Sequence, residues 1–135
     1  METQIARLTP RCDNFAPKAV REVLADQCDL GWAAGDVMLV ATELVSNAVR
    51  HSLAAPEDLL EVRIHRDDAR LRISVRDPGT SGRTARMAER PDPWGGLGLV
   101  VVNELADAWG SQRHPDSYEV WAELRLPARQ PSARP

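Results

Sequence analysis

The chain has 135 residues, 43% of them hydrophobic and 27% charged, a profile that fits one soluble globular domain and is short for two. A formal net charge of −3 offers no basic surface for nucleic acid or an anionic membrane. The longest aliphatic run, Leu97 to Val102, is interrupted by Gly98 and far too short to span a bilayer, and the opening METQIARLTP lacks the order of a secretory signal, so a cytoplasmic location is the default.

Taken in chain order, Gln4 to Leu8 suits a short edge strand. Asp13 or Asn14 can cap a helix that starts at Pro17 and runs to about Cys28, with Val20, Val23 and Leu24 at helical spacing. Gly31 breaks that pattern. A second helix follows from about Asp36 to Ser52, apolar over so wide an arc that it must be buried on more than one side. From Leu59 the period changes to two. Leu60, Val62 and Ile64, then Leu71, Ile73 and Val75, alternate with polar neighbours around Asp67-Asp68, which predicts an antiparallel hairpin. The stretch PGTSGRTARMAERPDPWGG, rich in Gly and Pro, predicts a long loop, about residues 78–95, of the kind that forms a functional lid or stays disordered. GGLGL opens a third helix reaching about Ala108. Trp109 to Arg113 and Tyr118 to Leu126 form a final hairpin with Pro115-Asp116 in its turn. Residues 1–127 therefore read as a single domain and 128–135 as a disordered tail. The expected architecture is a two-layer α/β sandwich: a mixed, mainly antiparallel sheet with helices on one face.

Three short stretches carry side chains with chemical potential. In ATELVSNAVRHS, Glu43, Asn47 and His51 recur every four residues, which makes a slowly drifting polar stripe about 12 Å long on an apolar helix. A carboxylate there needs a partner, water or ligand, since burying it bare is costly. An arginine pairing with Glu43 and a backbone bond from Asn47 would satisfy that need without any function. Asp77, at the end of LRISVRD and before Pro78-Gly79, is either a turn former or a carboxylate held in a pocket. Gly95-Gly96-Leu97-Gly98-Leu99 enters a helix and exposes backbone N–H groups suited to phosphate, although such a loop can also be a hinge. Cys12 and Cys28 are isolated, and His51, His65 and His114 are scattered, so no metal cage is visible. The only lysine, Lys18, has no glycine before it, which excludes a GxxxxGK phosphate loop.

The order of these stretches resembles one known arrangement. An ELVSNAVRH helix, a strand ending in Asp-x-Gly, a long loop and GGLGL entering a helix look like the histidine-kinase-type ATPase, or Bergerat, fold. More narrowly, ATELVSNAVRHS with GGLGLVVVNELADAWG resembles the small bacterial anti-sigma-factor serine/threonine kinases and their standalone relatives, over roughly Asn14 to Pro127. The resemblance implies ATP and Mg²⁺ as ligands. Asn47 would supply its amide oxygen to Mg²⁺, and Glu43 would act as general base. Asp77 would accept the adenine amino hydrogen, with Gly79 making room for the ring. Gly96, Leu97, Gly98 and Leu99 would present their backbone to the phosphates beneath a closing lid. Arg83, Arg86 or Arg90 in that loop would meet either phosphate or only water. His51 either reaches the phosphate end or simply ends the helix, and the helix end is the favoured role.

Two departures from the family pattern stand out. The second glycine of Asp-x-Gly-x-Gly is missing, with Thr80 and Ser81 before Gly82. Glu119 stands where a threonine usually precedes Val-Trp, with Ser117 on the same strand face, and a carboxylate beside Asp77 would repel it and weaken nucleotide binding. The expected function is a protein kinase that phosphorylates a small antagonist protein (the anti-anti-sigma partner) and holds a sigma factor. The alternative is an ATP-binding regulator that transfers no phosphate. A catalytic fragment of a histidine kinase is a third, weaker reading. Relatives often form homodimers, and Trp32, Trp109 and Trp121 suit either such a surface or the core.

Overall fold

A computed structural model of the chain describes residues 2–51, 55–77 and 97–127. Strand β1 (Thr3–Leu8) leads to helix α1 (Ala16–Gln27), a single 3-10 turn (Gly31–Ala33) and helix α2 (Ala34–His51). Strands β2 (Glu61–Arg66) and β3 (Arg70–Asp77) follow, then helix α3 (Leu97–Leu105) and strands β4 (Ala108–His114) and β5 (Ser117–Arg125). The five strands form one sheet in the order β1-β2-β3-β5-β4, and all four pairings are antiparallel rather than mixed. The edge position expected for the first strand is borne out.

The hairpins follow from local chemistry. Between β2 and β3, Asp67 Oδ1 accepts hydrogen bonds from the backbone N–H of Ala69 and of Arg70, each at 2.8 Å, and so closes the turn. Period-two alternation then sends Val62 and Ile64, Leu71, Ile73 and Val75, and Val120, Ala122 and Leu124 to one side of the sheet. All eight are buried, and α2 lies against them with Val37, Val40, Ala41, Leu44 and Val45. Each large aliphatic side chain fully enclosed here contributes about 1.5–3 kcal/mol relative to exposure. Helix α2 packs on both α1 and α3 as well as on the sheet, which explains why its apolar arc is so wide.

The sequence placed the first helix correctly but not its cap. Phe15 occupies the N-cap position without a side-chain cap bond, while Asp13 Oδ1 accepts the Phe15 N–H at 2.9 Å in a tight local turn. The third helix ends at Leu105, three residues earlier than expected, because Asp107 and Ala108 already belong to the sheet edge: the Asp107 N–H bonds the Glu123 carbonyl at 2.9 Å. Gly31 does break the helical pattern, at φ 51°, a backbone conformation that favours glycine, and a Cβ there would stand 2.8 Å from Pro127 Cγ.

The other side of the sheet has no helix on it among the described residues. It carries Arg72, Arg76, Glu119, Trp121 and Glu123, with Glu61 and Arg63 on β2. Trp121 lies flat across Gly110 of β4, where a Cβ would come within 2.9 Å of the indole, and the Arg72 guanidinium sits 4.2 Å from the ring centroid. Trp109 is partly buried against the core, whereas Trp32 is 74% exposed. Neither Cys12 nor Cys28 forms a disulfide among the described residues. No helix among the described residues is long and apolar enough to cross a membrane.

Candidate functional site

The polar stripe of α2 runs from a half-buried to a buried position. Glu43 is half-buried and makes no ion pair among the described residues, so the arginine partner that would have made it structural is not found there. One turn on, Asn47 is only 2% exposed and shares the buried arc of the helix with Val40 and Leu44. Among the described residues its Oδ1 has no hydrogen-bond partner. A backbone bond from Asn47, the bland alternative, is likewise not found for this atom. An unsatisfied buried carbonyl oxygen costs about 1–3 kcal/mol, so the position is chemically incomplete among the described residues. A neutral oxygen of this kind suits a hard cation or a donor from a ligand. His51 ends α2, but its side chain lies outside the described residues.

Asp77 is the last residue of β3 and only 3% exposed. By strand parity it follows Leu71, Ile73 and Val75 onto the side of the sheet that faces the helices. Its cross-strand neighbour is Tyr118 of β5, which is partly buried against the core, and Tyr118 in turn pairs with Arg113 of β4. The structure thus places Glu43, Asn47 and Asp77 on the elements that enclose one layer, α2 above the sheet and β3 within it, and α2 packs directly on β3.

Glu119 does not stand beside Asp77. It pairs with Arg76, one residue earlier on β3, so its side chain leaves the sheet on the opposite side. There Glu119 Oε1 lies 3.0 Å from His114 Nε2 and accepts a long 3.5 Å hydrogen bond from Arg76 Nη2. The same His114 Nε2 is 3.0 Å from Arg76 Nη2. Two cationic or polar neighbours therefore hold the carboxylate that was expected to repel Asp77. Ser117 shares the Glu119 side and is 3% exposed, its Oγ without a hydrogen-bond partner among the described residues. The residue on the Asp77 side is Tyr118, which counting back from the buried Val120 by two would have found.

Gly79 and Gly96, the lid with Arg83, Arg86 and Arg90, and the shortened glycine motif lie outside the described residues. Leu97 and Gly98 begin α3, and Leu99, 3% exposed, anchors that helix in the core. Sequence reasoning also missed Arg66. It extends the inward-facing set of β2 and is 4% exposed, and its Nη1 donates to the Asp29 carbonyl at 2.8 Å, tying β2 to the end of α1. The partly buried Cys28 lies nearby. Burial pushes its thiol above the usual range, against the opposing pull of Arg66, so this cysteine is held protonated.

The comparisons with known proteins agree with this architecture. The chain is similar in fold to the RsbU and RsbW domains of Rv1364c from Mycobacterium tuberculosis, with a TM-score of 0.63 and 22% identity over 92% of the chain. It spans 33% of the length of that protein chain. The SiaB-SiaC complex from Pseudomonas aeruginosa matches with a TM-score of 0.56 and 16% identity, over 90% of this chain and 89% of the other. No curated protein sequence matches at a significant level. The family model described as the histidine kinase-like ATPase domain covers residues 12–124, from the buried Cys12 through the last strand, and the chain belongs to that family of ATP-binding domains.

Proposed function

We propose that this domain is a protein serine/threonine kinase that acts as an anti-sigma factor in a partner-switching pathway. The observation that carries the reading is the buried Asn47 Oδ1, left without a partner among the described residues one helical turn from an unpaired Glu43. A purely structural helix gains nothing from that pair.

In this reading Asn47 holds Mg²⁺ through its amide oxygen, and the ion, when bound, offsets the charge of the ATP phosphates. Glu43 accepts the proton of a serine or threonine hydroxyl as that oxygen bonds to the γ-phosphorus and the bond to ADP breaks. Asp77 accepts the adenine amino hydrogen. Gly79 leaves room for the ring. The backbone of Gly96, Leu97, Gly98 and Leu99 faces the phosphates at the start of α3, and residues 78–95 close over them. The position of Glu119 on the far side of the sheet removes one of the two objections to nucleotide binding, and the shortened glycine motif after Gly79 is what still favours a non-phosphorylating regulator.

The partners follow from the same resemblance: a sigma factor and its small antagonist protein, the anti-anti-sigma factor. That the second structural neighbour was solved as a two-protein complex supports a partner-binding role. The test is phosphoryl transfer from labelled Mg-ATP to candidate antagonist proteins from the same genome. Glu43→Ala should keep nucleotide affinity within about twofold while transfer falls by about a hundredfold or more, the range for losing a general base. Equal labelling by wild type and Glu43→Ala would overturn the kinase assignment.

A further inference from the structure

Successive residues of a helix advance by about 100°, so positions seven apart return to nearly the same side. In α2, the buried Val37, Val40, Ala41 and Leu44 define the sheet side. Thr42 marks the α1 side, because its Oγ1 accepts a 3.0 Å hydrogen bond from Arg21 Nη1. The outward side carries Trp32, in the 3-10 turn that runs straight into α2, then Asp36, Leu39 and Glu43. Trp32 is 74% and Leu39 44% exposed, although both are large apolar side chains. Asp36 is exposed too, and it makes no ion pair among the described residues.

Glu43 stands at the edge of this stripe, with the exposed Leu39 one turn before it and the buried Asn47 one turn after. Residues four apart on a helix hold their Cβ atoms about 5–6 Å from each other. A protein that brings a hydroxyl to Glu43 from solvent therefore covers Leu39 as well. Trp32 lies about 16 Å before Glu43 along the helix axis. A standard interface buries about 800 Å² on each partner, a disc of about 16 Å radius, so one centred on Glu43 reaches Trp32.

We propose that Trp32, Asp36 and Leu39 form the docking stripe for the protein whose serine or threonine hydroxyl Glu43 serves. The inference rests on the kinase reading of Glu43 and adds where the protein substrate binds. The side chains of the stripe specify the partner's face. Trp32 and Leu39 match an apolar surface, and tryptophan is among the residues that most often anchor an interface. Asp36 within the stripe and Asp29 just before Trp32, both exposed, match lysine or arginine at the edge of that surface.

The test uses the full chain, Mg-ATP and an antagonist protein from the same genome that wild type phosphorylates. Steady-state transfer is compared for wild type, Trp32→Ala, Leu39→Gln, Asp36→Lys and Leu59→Ser, the last removing a comparably exposed leucine outside α2. ATP affinity by calorimetry and oligomeric state by sedimentation are read on the same samples. Trp32→Ala and Leu39→Gln should raise KM for the acceptor protein about tenfold or more, as loss of an interface anchor does. Their kcat and ATP affinity should stay within about twofold of wild type, the pattern of lost docking with the chemistry intact. Asp36→Lys should raise KM too, by setting like charges against the partner's basic edge. Leu59→Ser should leave KM unchanged.

Wild-type KM in the stripe variants would overturn the inference and leave the kinase reading intact. An equal rise in Leu59→Ser would also overturn it, because the effect would not belong to α2. A dimer that Trp32→Ala splits with no change in KM would give the stripe to a second copy of the chain, again overturning it. If Trp32→Ala does not fold, Leu39→Gln and Asp36→Lys carry the same decision. Wild type that binds ATP but labels no protein sinks the kinase reading and this inference together.

Discussion

At the scale of single residues, the site is marked by what a stable helix would not choose. Asn47 buries an amide oxygen that bonds to nothing among the described residues, inside an arc otherwise made of Val40, Leu44 and similar side chains. Proteins retain such a loss where a ligand repairs it. Replacing Asn47 by the nearly isosteric leucine should therefore raise stability without nucleotide by about 1 kcal/mol, because the unsatisfied oxygen disappears and apolar contact replaces it. The same substitution should abolish the Mg²⁺ dependence of ATP binding. Urea denaturation without ligand and ATP titrations with and without Mg²⁺ check the two halves. A leucine variant less stable than wild type would mean that the amide has a structural partner after all.

At the scale of elements, the strands show how much the sequence disclosed and where it stopped. Alternation at Val62 and Ile64, and at Leu71, Ile73 and Val75, placed a hairpin and the sheet face that meets the helices. It did not disclose register. Family analogy drew Glu119 to the adenine side, yet a one-residue step along a strand reverses the face, and only the pairing of Arg76 with Glu119 and Asp77 with Tyr118 shows which carboxylate looks where. The order of pairing β1-β2-β3-β5-β4 was equally out of reach, because β3 meets β5 across a helix and a strand of intervening sequence. The outer face holds its carboxylates between cations: Glu61 Oε2 lies 2.7 Å from Arg7 Nε on β1 and 3.0 Å from Arg63 Nη2. The hydrogen bond from Arg7, followed by that from Arg63, holds the Glu61 carboxyl below its ordinary value of 4.5, with partial burial opposing. A lowered carboxylate contributes stability above its unfolded pKa and loses it as pH falls through the folded value. Glu61→Gln should thus lower the urea midpoint at neutral pH, and the gap from wild type should close as pH falls through the lowered folded value, where the native carboxylate is protonated too. The effect is small because the pair is exposed to solvent. A gap that stays constant from neutral to acid pH would assign the loss to packing instead of charge.

At the scale of the whole molecule, one layer of helices lies on one sheet, with α2 packed on the strand that ends in Asp77, and the proposed nucleotide site lies between that residue and the polar stripe of α2. In the proposed reading core and site share α2: Val37, Val40, Leu44 and Val45 bury it, while Glu43 and Asn47 carry the chemistry. Any ligand that binds only the folded state then stabilises the entire domain, by about 2.7 kcal/mol at a hundredfold excess over Kd. Mg-ATP at that excess should raise the thermal midpoint by several degrees in a domain of this size. Asp77→Ala should lose that rise, since it removes the acceptor proposed for the base, while its midpoint without nucleotide tests whether the buried carboxylate also supports the fold. The Glu61→Gln variant should show the full rise from a lower starting point, because its ion pairs lie on the outer face of the sheet. Differential scanning fluorimetry of wild type and both variants, across a Mg-ATP series, reads all of these outcomes together. An undiminished shift in Asp77→Ala would move the nucleotide base away from β3, and no shift in wild type would remove ATP from the site.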